Sequence, residues 1–321
     1  MKDKIFHPSS FILHPSPFII ISQTFQIRSA LRQVTAQFNE TGVDSPAATA
    51  RRLLAHVLDR PREWVIAHDD DVLSAAQLQQ FQSLVARVVA REPLAYILGH
   101  RAFYDLDLLV DARVLIPRPE TEMLVELALA ELRQVTVDQA HTALAIEIGT
   151  GSGAAAIAIA KHLPNPHLRV IATDVSADAL DVARLNAQRC GVTERITFYC
   201  GSLLQALPPE LCQAAVVLVA NLPYVTREEI EMLPPEIQAH EPRVALDGGE
   251  DGLDLVRELL RQIDHHKTAG TGFQSLRAAF FEVGAAQGAA CLQAARECLP
   301  IGKAEMLKDL AKLDRVLAIR L

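Results

Sequence analysis

Apolar positions recur at helical spacing from about Ile27 to Gly99 and then gather into strand-length runs separated by helical stretches. In "SPAATARRLLAHVL" (45–58), Ala50, Leu53, Leu54 and Val57 fall on one face, and Asp44 or Ser45 is placed to cap it. "SAAQLQQFQSLVARVVAREPLAYIL" (74–98) repeats the pattern with Leu78, Phe81, Leu84, Val85 and Val88, and Pro93 marks a break. "FYDLDLLVD" (103–111) alternates apolar and polar residues and predicts a hairpin strand. "IPRPETEMLVELALAEL" (116–132) carries two prolines and then a helix with Thr121 near its start. After residue 140, "TALAIEIGTGSGAAAIAIAKHL" (142–163) reads as strand, glycine turn and helix. "HLRVIATDV" (167–175), "RITFYC" (195–200) and the run Ala214 to Val219 supply three further strands. Strands alternating with helices predict an α/β fold with a doubly wound, mostly parallel sheet, preceded by a small α-helical domain. "DHHKTAGTGFQS" (264–275) reads as a loop in which the adjacent His265 and His266 point apart and hold no metal.

The first 26 residues differ: "HPSSFI" (7–12) recurs as "HPSPFI" (14–19), and His14, Pro15 and Pro17 interrupt the apolar run that follows Lys2 and Lys4. That pattern fits a disordered extension or an over-extended reading frame better than an export signal. No stretch approaches the roughly 18–20 apolar residues that a membrane span needs. Length alone allows one large domain or two ordinary ones in 321 residues. Half the residues are hydrophobic and 22% are charged, which excludes a disordered chain. A net charge of −8 leaves no electrostatic footprint for nonspecific nucleic-acid binding. The five cysteines, Cys190, Cys200, Cys212, Cys291 and Cys298, form no C-x-x-C pair, so buried thiols in a reducing cytoplasm are expected.

The glycine turn carries the first candidate chemistry. Gly149, Gly151 and Gly153 let the backbone turn tightly and approach a ligand, and the helix beyond them offers free N–H groups. The spacing is G-x-G-x-G rather than the G-x-G-x-x-G that holds pyrophosphate, with Glu147 two residues upstream. That carboxylate would repel a diphosphate but suits a cationic or zwitterionic ligand. Asp174 ends the next strand, 21 positions after Gly153, where it can accept both ribose hydroxyls. The alternative, an N-cap for the helix starting near Ser176, is compatible with that role. Together the two features predict a nucleoside site at the strands' carboxyl ends.

"NLPY" (221–224) closes the fourth strand, and a simple turn needs no such set. An amide or exocyclic amine is a poor nucleophile because its lone pair is delocalised. To attack a sulfonium methyl, both its N–H bonds must be engaged and the lone pair aimed. Asn221 can offer its side-chain carbonyl and Leu222 its backbone carbonyl. Pro223 keeps Leu222 extended, and Tyr224 offers a flat ring for a planar group. Positioning of this kind is worth roughly 7–11 kcal/mol in favourable cases, with no general base.

With these residues in view, the chain resembles the class I, S-adenosylmethionine-dependent N5-glutamine methyltransferases of the HemK/PrmC type, which modify the Gly-Gly-Gln glutamine of peptide chain release factors. The resemblance spans roughly residues 27 to 321. It rests on "REPLAYILGHRAFY" (91–104), "LIPRPETE" (115–122), "EIGTGSG" (147–153), "NLPY" (221–224), "EPRVALDGGEDGL" (241–253), "FEVGAAQG" (281–288) and "KDLAKLDRVL" (308–317). It implies an extension over 1–26, a helical substrate-docking domain over 27–100, a hairpin linker over 101–120 and a Rossmann-like catalytic domain over 121–321. By the resemblance, Gly149, Thr150, Gly151, Ser152 and Gly153 cradle the methionine end of S-adenosylmethionine. Asp174 binds ribose, Leu203 lies by the adenine, Asn221 contacts cofactor and substrate, and Asn221, Leu222, Pro223 and Tyr224 hold the target glutamine. Asn221, Pro223 and Tyr224 are the catalytic set. The partner implied is a release factor, met by a cytoplasmic monomer with no membrane and no direct nucleic-acid contact.

Two positions depart from the family pattern. N-P-P-Y becomes N-L-P-Y, which removes one rigid φ but keeps the carbonyl of Leu222, so weaker preorganisation rather than lost activity is expected. Ser202 stands where the family places an acid after Gly201, and a neutral hydrogen bond there is weaker by about 1 kcal/mol. Three alternatives accompany the release-factor reading. They are glutamine methylation of a ribosomal protein, amino-methylation of a nucleic-acid base, and a binding protein that has lost turnover.

Overall fold

The computed structural model describes residues 25–135, 144–163, 165 and 167–321. The expected N-terminal extension lies outside the described residues except for its last two, which form a short strand. The described chain divides into two compact units between Val85 and Ala86.

The first unit contains β1 (Phe25–Gln26), α1 (Ile27–Glu40), α2 (Pro46–Leu58), α3 (Arg62–Ala67), β2 (Val72–Leu73) and most of α4 (Ala75–Val89). β1 and β2 pair antiparallel. Phe38, Leu53, Leu54, Val65 and Phe81 are fully buried, so the three- and four-residue spacing read along the chain does face a core. α2 starts without a side-chain cap: Ser45 is left-handed and Pro46 occupies the first turn, where its missing N–H costs nothing. Pro93 ends the helical run as expected, but the break begins earlier, at Val89, before α5 (Leu94–Leu98) resumes.

In the second unit the hairpin is β3 (His100–Phe103) with β4 (Leu106–Leu109), turning at Tyr104 and Asp105. Leu106 and Leu108 point inward and Asp107 outward, as the alternation requires. A 3-10 turn (Pro119–Thr121) leads into α6 (Glu122–Leu132). There follow β5 (Leu144–Ile148), α7 (Ala154–His162), β6 (Arg169–Asp174), α8 (Ala177–Arg189), β7 (Ile196–Cys200), α9 (Pro209–Ala214) and β8 (Ala215–Ala220). The chain then runs through α10 (Arg227–Ile230), α11 (Pro235–His240), α12 (Asp254–Thr268), β9 (Ala278–Glu282), α13 (Gly288–Cys298), β10 (Lys303–Lys308) and β11 (Asp314–Arg320).

Seven strands form one sheet in the order β10-β11-β9-β8-β5-β6-β7. β8–β9, β5–β8, β5–β6 and β6–β7 are parallel, while β11 runs antiparallel to both β9 and β10. This is the doubly wound, mostly parallel sheet that the alternating pattern predicts. Both faces are covered: one by the core that includes Leu124, Leu129, Ile157 and Ile159, the other by Leu259, Leu260, Phe273 and Cys291. Burial on both faces explains why all six residues of β8 are apolar rather than alternating. Strand order reverses at β5, between β6 and β8, and a crevice at the strands' carboxyl ends follows from that reversal.

The segment read as a loop from 264 to 275 is helical through Thr268, because Leu259, Leu260 and Ile263 continue the buried stripe. Gly270, at φ +69°, then ends the helix: Thr271 N–H donates to the His266 carbonyl and Gly270 N–H to the Lys267 carbonyl, a Schellman pair. His265 is exposed, but His266 is half-buried and bonded to Thr271 at 2.9 Å. Cys212, Cys291 and Cys298 are buried, whereas Cys200 is exposed. Among the described residues no helix is long and apolar enough to cross a membrane.

Candidate active site

The carboxyl ends of β5, β6 and β8 open into a cavity of about 700 Å³. Its wall contains Gly149, Thr150, Gly151, Ser152, Asp174, Ser202, Leu203, Asn221, Leu222 and Pro223, so most of the residues singled out in the sequence meet there. Gly153 and Tyr224 are outside this wall. At Gly153 (φ +83°) a Cβ would come within 2.9 Å of Ile157 Cδ1 and 3.2 Å of Ala183 Cβ. The glycine is therefore needed for close packing of α7 on α8. Tyr224 is half-buried and packs its ring toward Gly284 and Glu282.

Two acidic groups, Glu147 and Asp174, stand at the glycine-turn side of this wall. Glu147 is buried beneath the turn, where its Oε2 accepts from Thr150 Oγ1 and, at 2.9 Å, from Ala156 N. Burial outweighs those two bonds and pushes the carboxyl up to about 8. Asp174 accepts from Gly151 N at 2.8 Å through Oδ2 and from Ser176 N at 2.9 Å through Oδ1, so one carboxylate ties the glycine turn to the start of α8. Its pKa is also raised, mainly by burial. The Val175 amide donates to Asp174 as well, and the acceptor capacity left on the carboxylate is what a ribose diol would engage. Beside it, the hydroxyl of Thr173 is buried without a partner in the cavity wall. Leu203 adopts φ +49°, an unusual conformation for leucine that holds it in the wall. An orphaned hydroxyl, a partly satisfied carboxylate and a glycine-lined approach fit an adenosine-type ligand.

The residues around Asn221 were not legible beforehand. Its Nδ2 donates to Thr121 Oγ1 at 3.0 Å, and Thr121 donates to Glu282 Oε2 at 2.7 Å. Glu282 is buried at the carboxyl end of β9, and burial pushes it up to about 7. Its Oε1 has no hydrogen bond of standard geometry, although the Tyr224 hydroxyl lies close enough to favour the charged form. Tyr224 itself is pushed up to about 12 by burial, with Glu282 adding to the shift.

The backbone of Asn221 to Tyr224 is clamped from a second segment. Val225 N donates to the Leu246 carbonyl at 3.0 Å and Gly248 N to the Val225 carbonyl at 2.9 Å. A Cβ at Gly248 would lie 2.6 Å from the Pro223 carbonyl oxygen, so only glycine admits this approach. Gln287 Nε2 donates to the Tyr224 carbonyl at 2.9 Å. On the other side, Asn186 accepts from Leu109 N at 2.7 Å and donates to the carbonyls of Leu109 and Ser152, both at 2.9 Å, anchoring the glycine turn to the hairpin. Asn186 is wholly buried on the apolar face of α8, and a lone polar residue at that register is the signal that could have found it.

The PrmC N-terminal domain family matches residues 29–99, and a methyltransferase domain family matches residues 145–240. A release factor glutamine methyltransferase of Cereibacter sphaeroides is 34% identical over 292 residues, covering 91% of this chain and 97% of that protein. Another, from Geobacter sulfurreducens, is 38% identical and covers 72% of this chain and 76% of its own length. The chain belongs to the release factor glutamine methyltransferase family. It is therefore an S-adenosylmethionine-dependent methyltransferase of class I fold. The catalytic domain of human Mettl16, solved with an RNA hairpin, superposes with a TM-score of 0.50 at 14% identity. It covers 78% of this chain and 84% of that one, a likeness of fold alone.

Proposed function

We propose that the protein transfers a methyl group from S-adenosylmethionine to the side-chain amide nitrogen of the Gly-Gly-Gln glutamine of peptide chain release factors. The observation that carries this reading is the disposition of Asn221. Its Nδ2 is committed to Thr121, which leaves its side-chain oxygen to accept, and Asn221 and Leu222 both stand in the wall of the nucleoside cavity. That oxygen and the Leu222 carbonyl engage the two N–H bonds of a primary amide and aim its lone pair. Gly149, Thr150, Gly151 and Ser152 hold the methionine end, Asp174 the ribose, and Ser202 and Leu203 the adenine. S-adenosylmethionine, when bound, supplies an electrophilic methyl on sulfonium sulfur. As the amide nitrogen takes that methyl the carbon–sulfur bond would break, the sulfur would leave as a neutral thioether and the nitrogen would give up one proton to water, so the site needs no strong base. Pro223 keeps the Leu222 carbonyl outward, and Tyr224 braces the loop against Glu282 rather than lining the wall.

This reading carries with it a monomeric cytoplasmic enzyme whose acceptor is protein; the net charge of −8 supports that choice over nucleic acid. Purified release factor, ribosomal protein and DNA are offered to the enzyme in parallel with S-adenosylmethionine. Mass spectrometry is expected to find one added methyl, about 14 Da, on the release-factor glutamine, since a single positioned nucleophile accepts a single group. Methylation of DNA with release factor untouched would overturn the reading.

A further inference from the structure

Carboxamide oxygen and nitrogen are nearly the same shape, so packing alone does not fix which end of Asn221 faces the acceptor. A primary amide substrate needs the oxygen there. If Asn221 turned its NH₂ group outward, two donors would face two donors. Something must set the orientation, and the hydrogen bonds behind Asn221 do so.

We infer that Glu282 and Thr121 are positioning residues that set the orientation of the Asn221 carboxamide. The inference rests on the acceptor role proposed for Asn221. With Glu282 ionised, as it is above about pH 7, its carboxylate can only accept, so the single hydroxyl proton of Thr121 goes to Glu282 Oε2, 2.7 Å away. The oxygen of Thr121 then has only lone pairs to offer Asn221, 3.0 Å away, and must receive an N–H. The Asn221 oxygen is consequently turned toward the cavity. Polarity runs one way along the chain: Asn221 donates to Thr121, which donates to Glu282.

The geometry supports a purpose beyond packing. Thr121 and Glu282 are buried, and they come from segments 161 residues apart, the 3-10 turn before α6 and the end of β9. A carboxylate is an expensive group to bury, and here the Thr121 and Tyr224 hydroxyls and the charge of Arg315 all favour its ionised form. A glutamine in its place could donate to Thr121 instead. Thr121 would then be free to donate to Asn221 and reverse the flip. Charge at Glu282 removes that alternative.

The test uses the full chain and compares Thr121→Val, Thr121→Ser and Glu282→Gln with the wild type. Valine matches threonine in shape but carries no hydroxyl. Thr121→Val is expected to lower kcat toward release factor by about 10–10²-fold, the scale of a small misplacement of a reacting group. The KM for release factor and the calorimetric affinity for S-adenosylmethionine should stay at wild-type values. Thr121→Ser should restore turnover, and Glu282→Gln should fall between the two. A second readout needs no substrate: in nitrogen-15-labelled protein the Asn221 NH₂ resonances should be slowly exchanging in the wild type and Thr121→Ser and rapidly exchanging in Thr121→Val. Wild-type kcat in Thr121→Val, or equal losses in the serine and valine variants, would overturn the relay. Failure of the wild type to methylate release factor, with the resonance pattern intact, would instead overturn the substrate reading alone.

Discussion

Arg118 Nη2 lies 2.8 Å from both carboxylate oxygens of Glu241, joining "IPRPETE" to "EPRVALDGG" across 123 residues. The Glu241 side chain is almost wholly buried, and burial raises its pKa in spite of the guanidinium. Removing Arg118 leaves that carboxylate buried and unpaired. Arg118→Ala should destabilise the fold by about 2–3 kcal/mol, somewhat less than a fully buried broken pair costs because Arg118 is partly exposed. Adding Glu241→Gln to it should recover much of the loss, since the orphaned charge is gone. Urea unfolding of the single and double variants checks both statements. Equal stability of Arg118→Ala and wild type would mean that Glu241 is protonated without its partner.

Asp174→Ala should weaken S-adenosylmethionine binding at least about tenfold, the loss of one good charge-assisted hydrogen bond. It should also lower stability by about 1–2 kcal/mol, because Gly151 and Ser176 lose their acceptor at the same time. Calorimetry and denaturant unfolding on the same preparation separate the two effects. Unchanged cofactor affinity would remove the ribose assignment and leave Asp174 with its structural role only.

Asn221→Ala should lower kcat by on the order of 10²–10³, the scale of one positioned polar group lost from a transition state. Cofactor affinity should suffer less. Leu222→Pro should keep or improve kcat, because the carbonyl remains and one φ is fixed. It should also cost about 1–2 kcal/mol of stability, since the Leu222 side chain is buried against the turn at Gly149 and proline fills less of that space. A well-folded Leu222→Pro protein without activity would show that the Leu222 carbonyl does not hold the acceptor.

How far the site was readable depended on whether a residue acts locally. Gly149, Asp174 and Asn221 each end a strand, and strand ends are marked by the change from an apolar run to a turn. Four strands of the sheet, β5 to β8, are legible for the same reason, whereas β9, β10 and β11 are not read as strands from their pattern. Thr121, Glu282 and Asn186 were not legible, because each gains its meaning from a partner 77 to 161 residues away. Thr121 reads in the sequence as an ordinary helix start, and Glu282 as a polar residue after a short apolar run. Gly153 reads as part of the ligand cradle because its requirement for glycine is visible in the sequence while its neighbour Ala183 is not. The chemistry of Tyr224 suggests a stacking platform, and its ring direction is set by contacts at the end of β9 that no local pattern encodes.

Glu147 makes stability itself depend on pH. Its folded-state pKa is raised from 4.5 to about 8 by burial, with Asp174 contributing in the same direction. Between those values the folded chain keeps a proton that the unfolded chain has released. The stabilising effect of protonated Glu147 is therefore complete below about pH 4.5 and is lost as pH rises through about 8. Across that window this one group should lower stability by up to about 1.4 kcal/mol per pH unit as pH increases. Glu147→Gln keeps an oxygen to accept from Thr150 and Ala156 but has no proton to lose. The variant should show a flatter profile of melting temperature against pH, and it should gain on the wild type as pH rises toward 8. Melts in a series of buffers, without cofactor, read the difference directly. Parallel profiles for the two proteins would mean that Glu147 stays ionised in its buried position, held by the Thr150 hydroxyl and the Ala156 amide.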